Sequence, residues 1–98
     1  MAVTVRIPTP LRNATNGERV VEIGGANLKE CLANLDHRYP GIRGRIVDDS
    51  GELKQYIIIY VNGEDVRFLQ GINTPVSSGD ELSIVPAVAG GAQLQEVM

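Results

Sequence analysis

The chain has 98 residues, of which 43% are hydrophobic and 21% charged, and its formal net charge is −3. This length suits one domain with a single modest core. The negative charge and the scattered Lys and Arg residues argue against a nucleic-acid-binding protein, which usually carries a basic stripe. Only Arg43 and Arg45 stand close together, and a solvated loop explains them.

The single cysteine, Cys31, excludes an internal disulfide, and with the single histidine, His37, it leaves no ligand set for a structural metal. The amino-terminal residues contain no apolar stretch long enough for a signal peptide, and no membrane span follows. We therefore expect a cytoplasmic protein that binds neither nucleic acid nor membrane.

Two strands are predicted at the start of the chain. Val3, Val5 and Ile7 alternate with polar residues, and Val21 and Ile23 do the same after a turn region at residues 8–17. Strands this close in sequence most simply form a hairpin.

A helix is predicted after Gly24-Gly25, with Asn27 as its N-cap and Glu30 as the second member of a capping box. The apolar residues that follow recur at helical spacing and predict one buried face: Leu28, Cys31, Leu32, Leu35 and Tyr39. Pro40-Gly41 ends the helix.

The rest of the chain predicts three further strands. Residues 42–54 are polar with scattered apolar positions, and 48–51 form a turn. Residues 55–61 form a β-rich run that is continuously apolar from residue 56 onward, which favours a strand covered on both faces or one whose second face meets a partner. Asn62-Gly63 suits a tight reversal, residues 66–69 suit a short edge strand, and 81–85 suit a last strand after the turn at 77–80.

This order places one helix among several strands. The economical way to bury both apolar sides is a mixed sheet of four to five strands with the helix packed across one face, an α+β fold.

The closing run from Gly79 to Gly91, which reads GDELSIVPAVAGG, resembles the carboxyl-terminal signature of the MoaD/ThiS family of sulfur carriers. Residues 38–41, 61–66 and the helix cap at Asn27 support this resemblance, which covers the chain to Gly91. It implies the ubiquitin-like β-grasp fold for residues 1–89 and a flexible Gly-Gly arm with a removable tail for residues 90–98. The motif from Pro86 to Gly91 is most similar to carriers that supply sulfur for cysteine synthesis.

The resemblance also implies a chemistry that needs no catalytic residue, metal or bound cofactor in the carrier, which is therefore not an enzyme. An E1-like adenylating enzyme uses ATP to activate the Gly91 carboxylate, and sulfur then displaces AMP to leave a thiocarboxylate. A sulfur-accepting enzyme similar to cysteine synthase would take the sulfur. Gly90 and Gly91 suit this role because residues without Cβ can enter a narrow active site.

Residues 92–98 depart from the family pattern, because mature carriers end at Gly-Gly. The Gly91 carbonyl is an amide while the tail is present and cannot be adenylated as a carboxylate. We therefore expect cleavage between Gly91 and Ala92 by a zinc-dependent JAMM-type peptidase.

Three alternatives remain. Gly91 could be joined to lysines of other proteins, as in a ubiquitin-like modifier. The acceptor pathway could be that of molybdopterin or thiamine. The chain could also be an interaction domain whose glycines are never processed.

For the other reactive or apolar residues, ordinary structural roles are the simpler expectation. Cys31 should be a buried apolar residue rather than a persulfide relay, and His37 a solvated helix residue. Tyr56 and Tyr60 should pack in the core or at an edge. A partner-docking role is expected for Phe68, Leu69 and Val88, which flank turn or terminal segments.

Overall fold

A computed structural model describes residues 2–86 of the chain. Its strands are β1 (Val3–Arg6), β2 (Val20–Ile23), β3 (Ile57–Val61), β4 (Glu64–Asp65) and β5 (Glu81–Pro86), and its helix is α1 (Leu28–Arg38). Short 3₁₀ helices cover Thr9–Thr15, Arg43–Arg45, Val66–Phe68 and Gly71–Asn73. The predicted boundary between residues 89 and 90, and the arm beyond it, lie outside the described residues.

The strands form one mixed sheet in the order β2-β1-β5-β3-β4. β1 pairs antiparallel with β2, as the hairpin prediction required, and parallel with β5, while β5 pairs antiparallel with β3. The last strand therefore lies at the centre of the sheet, between the first and the third. The prediction of a mixed sheet with one main helix is confirmed.

The amino terminus of α1 is capped almost as predicted. Asn27 Oδ1 accepts a hydrogen bond from the Glu30 backbone N–H at 2.8 Å. The Glu30 carboxylate accepts from the N–H of Ala26 at 2.9 Å, one residue before the N-cap. Both bonds satisfy backbone donors at the start of the helix and fix where it begins.

The core lies between α1 and one face of the sheet. The five residues of the predicted helix face are all buried, and they meet the alternate residues of each long strand. Those strand residues are Val3, Val5, Val21, Ile23, Ile57, Ile59, Val61, Leu82 and Ile84.

Two predictions for irregular segments need correction. Residues 9–15 of the predicted turn region form a 3₁₀ helix, with Leu11 and Thr15 buried. Residues 42–54 form more than a polar loop, because Ile42, Ile46 and Val47 are buried in the core. Apolar residues three or four positions apart share one side of such short helical turns, although the run is too short to show a periodic pattern.

The third strand is also covered differently from the prediction. It begins at Ile57 rather than residue 55, and only Ile57, Ile59 and Val61 are buried, whereas Ile58 and Tyr60 are half-buried. The prediction that this strand is covered on both faces is wrong for the described part of the molecule, because α1 lies on one face of the sheet only. The alternative, that the second face meets a partner, stays a prediction.

The expectation of an edge strand at residues 66–69 is wrong. Asn62 and Gly63 both have positive φ, of 51° and 89°, so they form the reversal by themselves and the edge strand begins at once with Glu64. The Asp65 carboxylate then accepts a hydrogen bond from the Arg67 N–H at 2.9 Å. This bond starts the 3₁₀ helix Val66–Phe68 and ends β4 after two residues.

Candidate functional site

The start of β5 is bonded to the end of β3 by the two turns that the sequence analysis singled out. Asp80 accepts hydrogen bonds from the Ser77 N–H at 2.8 Å and from the Asn62 side-chain amide at 3.0 Å. These bonds, the Asn62 bond first, hold the pKa of the Asp80 carboxyl below its usual range. Asn62 Oδ1 in turn accepts from the Glu81 N–H at 2.9 Å. The Asn-Gly and Gly-Asp-Glu motifs are therefore two halves of one contact that sets the register of β5.

The other end of β5 is the base of the predicted arm. Pro86 is the last described residue and lies opposite Ile57, the first residue of β3. The predicted sulfur-carrying residue Gly91 follows five positions later. Gly90, Gly91, Ala92 and Val88 all lie outside the described residues, so their predicted roles stay predictions.

Arg67 connects the start of β3 to the segment that carries Phe68. Alternation along β3 directs the Ile57 carbonyl away from β5, because Asn62 N–H donates to Glu81 O on the β5 side. β4 has already ended at that level, and Arg67 Nη2 donates to Ile57 O at 2.6 Å and to Lys54 O at 3.1 Å. The guanidinium thus takes the place of a neighbouring strand.

Phe68 and Leu69 project from this bonded segment. The Phe68 side chain is 87% exposed and that of Leu69 is 43% exposed. Phe68 ends the short helix that contains Arg67, and Leu69 is its C-cap, so the two exposed residues form one apolar projection. This exposure supports the predicted docking role for both residues, but the role itself stays a prediction.

The sheet face opposite α1 carries a small apolar area close to the base of the arm. Val85 of β5 is 37% exposed and pairs with the half-buried Ile58 of β3. Tyr60 follows on the same face two residues along β3, opposite Ser83, and is half-buried as expected. Farther along this face, Arg6 and Glu81 form an ion pair.

Tyr56 does not pack as expected. Its side chain is 56% exposed, and its ring lies 5.9 Å from Lys54 Nζ, within cation–π range. Tyr56 precedes β3, so the alternation of the strand does not determine where it points. It lines a cavity of about 240 Å³ at the base of the arm, together with Pro8, Pro10, Leu11, Arg45, Lys54, Ile57 and Pro86.

The two residues with reactive side chains occupy structural positions. Cys31 is buried on α1, and burial, followed by the nearby Glu30 carboxylate, raises the pKa of its thiol to about 11. Because the thiolate is the nucleophile, this environment opposes sulfur chemistry at Cys31. His37 is exposed in the last turn of α1, as predicted.

Among residues 2–86, no three His, Cys, Asp or Glu side chains lie close enough to hold a metal ion. Within the same part of the chain, no helix has the length and hydrophobicity of a bilayer-crossing segment.

Comparison with known proteins places the site in a family. The model of the ThiS family matches residues 5–91, from β1 to the second glycine of the arm. The chain belongs to the ThiS family. This match covers both the described fold and the Gly-Gly segment, and it ends where the predicted tail begins.

The proteins related to this chain include sulfur carriers and small modifier proteins. The sulfur carrier protein CysO of Mycobacterium tuberculosis is 46% identical over 93 residues, which are 93% of this chain and all of CysO. The chain is thus a homologue of a sulfur carrier rather than of a catalyst. The small archaeal modifier protein 3 of Haloferax volcanii is 38% identical over 66 residues, 67% of this chain and 71% of that protein.

A solved structure confirms the predicted β-grasp, ubiquitin-like architecture. A chain of the crystal structure of the Amycolatopsis orientalis BexX/CysO complex matches with a TM-score of 0.87 and 49% identity, over 92% of this chain and all of that chain.

Two features of this ThiS family site were missed from the sequence. The Arg67 bonds to the carbonyls of residues 54 and 57 link segments that are separate in the sequence, so no local sequence pattern predicts them. The sequence also shows the basic residues as scattered, whereas the fold places several of them around Pro86. These residues are far apart in the sequence, so no count along the chain would have found the second feature.

Proposed function

We propose that this protein is a sulfur carrier that is activated at Gly91 after residues 92–98 are removed, and that it donates sulfur for cysteine synthesis. The observation that carries the proposal is the family match through Gly91, together with 46% identity to CysO over the whole of that carrier. In this proposal the chain is a precursor, because residues 92–98 must be removed before Gly91 can be activated.

The proposed chemistry proceeds in three steps. A JAMM-type peptidase adds water across the Gly91–Ala92 amide and frees the Gly91 carboxylate. An E1-like enzyme joins that carboxylate to the α-phosphate of ATP, giving a glycyl adenylate and pyrophosphate. Hydrosulfide then attacks the glycyl carbonyl and displaces AMP, and the product is the glycyl thiocarboxylate.

The described fold suits this role because the arm starts from a central strand. β5 is hydrogen-bonded on both sides and its start is fixed by Asp80 and Asn62, so the position of Pro86 is set by the core. The five residues that follow Pro86, up to and including Gly91, span at most about 17 Å when extended. A partner can therefore locate Gly91 by binding the body of the domain.

The apolar projection of Phe68 and Leu69, with Val88 of the arm, is the proposed docking surface for the partners. Its exposed Phe68 ring is the kind of anchor that binding energy concentrates on. The proposed partners are the activating enzyme, the peptidase and the sulfur-accepting synthase. The BexX/CysO complex supports this, since a CysO protein there is bound to another protein.

The test uses the E1-like adenylating enzyme of the source organism, ATP and sulfide, with two forms of the chain. We expect the form ending at Gly91 to gain the mass of one oxygen-to-sulfur exchange, and the full-length form to stay unchanged until the peptidase is added. A chain ending at Gly90 is the control for position. The proposal fails if the form ending at Gly91 supports no adenylation.

A second candidate function is protein modification, favoured by the similarity to the small archaeal modifier protein 3. It shares the adenylation of Gly91 and differs in the fate of the carbonyl, which would form an amide with a lysine. Glycine remnants on lysines of other proteins in the source cell, detected by peptide mass spectrometry, would distinguish it from the carrier.

A further inference from the structure

Four basic side chains surround the base of the arm. Lys54 and Arg45 line the cavity that Pro86 helps to form. Arg67 Nη2 lies 2.6 Å from the carbonyl of Ile57, the residue opposite Pro86. Arg12 Nε lies 3.1 Å from the carbonyl of Ile7, just past the end of the parallel neighbour β1. We call these four residues the basic collar.

The basic collar is not neutralised by the rest of the described chain. The only ion pair within 4.0 Å among residues 2–86 joins Arg6 and Glu81. The collar guanidinium groups instead donate to backbone carbonyls, including that of Pro10, 3.2 Å from Arg45 Nη2. Such bonds hold the cations in place and leave their charge uncompensated. The nearby acids are Glu18, exposed in the turn before β2, and Asp48 and Asp49, which line a second cavity with Lys54. None of the three forms an ion pair with a collar residue within 4.0 Å.

The charge is unevenly distributed for an acidic protein. Outside the collar, residues 2–86 carry five Lys or Arg and eleven Asp or Glu. The end of the molecule from which the arm leaves is therefore basic, and the remainder is strongly acidic. Asymmetry of this kind orients a protein in the field of a partner before contact.

We infer that the basic collar binds an acidic rim, built from Asp and Glu side chains, around the active-site entrance of the enzyme that adenylates Gly91. The inference rests on the proposed function. When an arm of about 17 Å inserts its last residue into an active site, the residues around its base must lie against the entrance. Carboxylates opposite these four cations favour insertion, whereas like charges would oppose it.

The collar cavity suits the same contact. Its walls combine apolar surface from Pro8, Leu11 and Tyr56 with the cations of Arg45 and Lys54. An apolar side chain of the rim can enter it while neighbouring carboxylates meet the two cations. The apolar projection at Phe68 and Leu69 would then be a second and separate contact.

The experiment compares two doubly charge-reversed forms of the chain ending at Gly91, which keeps every described residue. Arg45→Glu/Lys54→Glu changes the collar. Lys29→Glu/Arg38→Glu is the matched control with the same net charge, because both residues lie on α1 and neither lines a cavity with Arg45 or Lys54. ATP–pyrophosphate exchange by the E1-like adenylating enzyme is measured between low and high salt.

We expect the collar variant to lose about tenfold or more in kcat/KM at low salt, with the loss shrinking as salt rises. The control variant should stay within about twofold of the unmodified chain. Equal losses in both variants, or a loss that does not depend on salt, would overturn the inference. Activation of the unmodified chain in the same assay shows that the proposed function stands whichever result is found.

A second measurement does not need the enzyme. A ten-residue oligoglutamate peptide is titrated into isotope-labelled protein, and the amide signals are followed by NMR. We expect shifts at residues 9–13, 45 and 54–57, and none there in the collar variant. Shifts only at other residues would overturn the inference. Collar signals that shift only when residues 92–98 are present would also overturn it, because the collar would then bind the chain's own tail.

Discussion

Replacing Gly25 by Ala should destabilise the fold without affecting the arm. Gly25 lies directly over the first turn of α1, and a Cβ built there would be 2.7 Å from the Cys31 sulfur and 2.8 Å from the Cys31 backbone nitrogen. The sulfur is buried, and the nitrogen donates to Asn27 O in the first turn of the helix. Neither atom can retreat without moving the start of the helix.

The size of the destabilisation follows from the atoms that must move to admit the new methyl group. Inserting a methyl group into a packed site costs about 1–3 kcal/mol, and a shift of the segment before α1 also weakens the bond from Ala26 N–H to Glu30. We expect a loss of about 2–3 kcal/mol in the free energy of unfolding, a large part of the ~5–15 kcal/mol typical of a domain. For a domain of this size, that lowers Tm by about 10 °C or more.

The measurement is urea unfolding followed by far-ultraviolet circular dichroism, with Gly44→Ala as the control. Gly44 has open space around its Cβ position and no positive φ, so Ala there should be neutral or stabilising by up to about 1 kcal/mol. Both variants should keep the slope of the unfolding curve, since the area exposed on unfolding is unchanged.

Activation of Gly91 should persist in Gly25→Ala at temperatures where it is folded, because Gly25 lies beside Val3 and Ser78 at the opposite end of β1 and β5 from Pro86. Stability of Gly25→Ala within about 0.5 kcal/mol of the unmodified chain, the range of ordinary surface changes, would refute the packing argument.

Three further predictions concern titration and docking. The raised pKa of Cys31, about 11 in the fold, means that the folded state holds the thiol proton more tightly than the unfolded state, so stability should fall as pH rises from about 9 to 11. Unfolding measured across this range should show a shallower fall for Cys31→Ala. The lowered pKa of Asp80 has the opposite sign: its contribution is present above the ordinary carboxyl pKa and is lost as pH falls through the folded value. Acid unfolding of Asp80→Asn should therefore show a smaller loss of stability in that window, and an unchanged acid profile would contradict this account. Phe68→Ala should weaken adenylation of the chain ending at Gly91 by about tenfold, a typical effect for an anchor residue, with unchanged Tm because the ring is 87% exposed. Parallel loss of Tm and activity would instead indicate a structural role.

The sequence alone predicted the elements that depend on neighbours in the chain. Alternation of apolar residues gave β1, β2 and β5, and helical spacing gave the buried face of α1, because each pattern reflects one element lying on one core. The Asn27 cap and the Asn62-Gly63 turn could be predicted since a few adjacent residues satisfy the bonds. The Gly-Gly motif is likewise local, and the arm assigned to it stays a prediction.

Tertiary structure decided the features that arise between segments. The edge strand ends at Asp65 because Arg67, not an extended chain, meets the Ile57 carbonyl. Tyr56 is exposed because it precedes the strand whose alternation would have placed it. The basic collar exists because β1, β3 and β5 bring Arg12, Arg45, Lys54 and Arg67 to one end, although they are far apart in the sequence. Electrostatic fields depend on distance in space, and only the folded chain sets that distance.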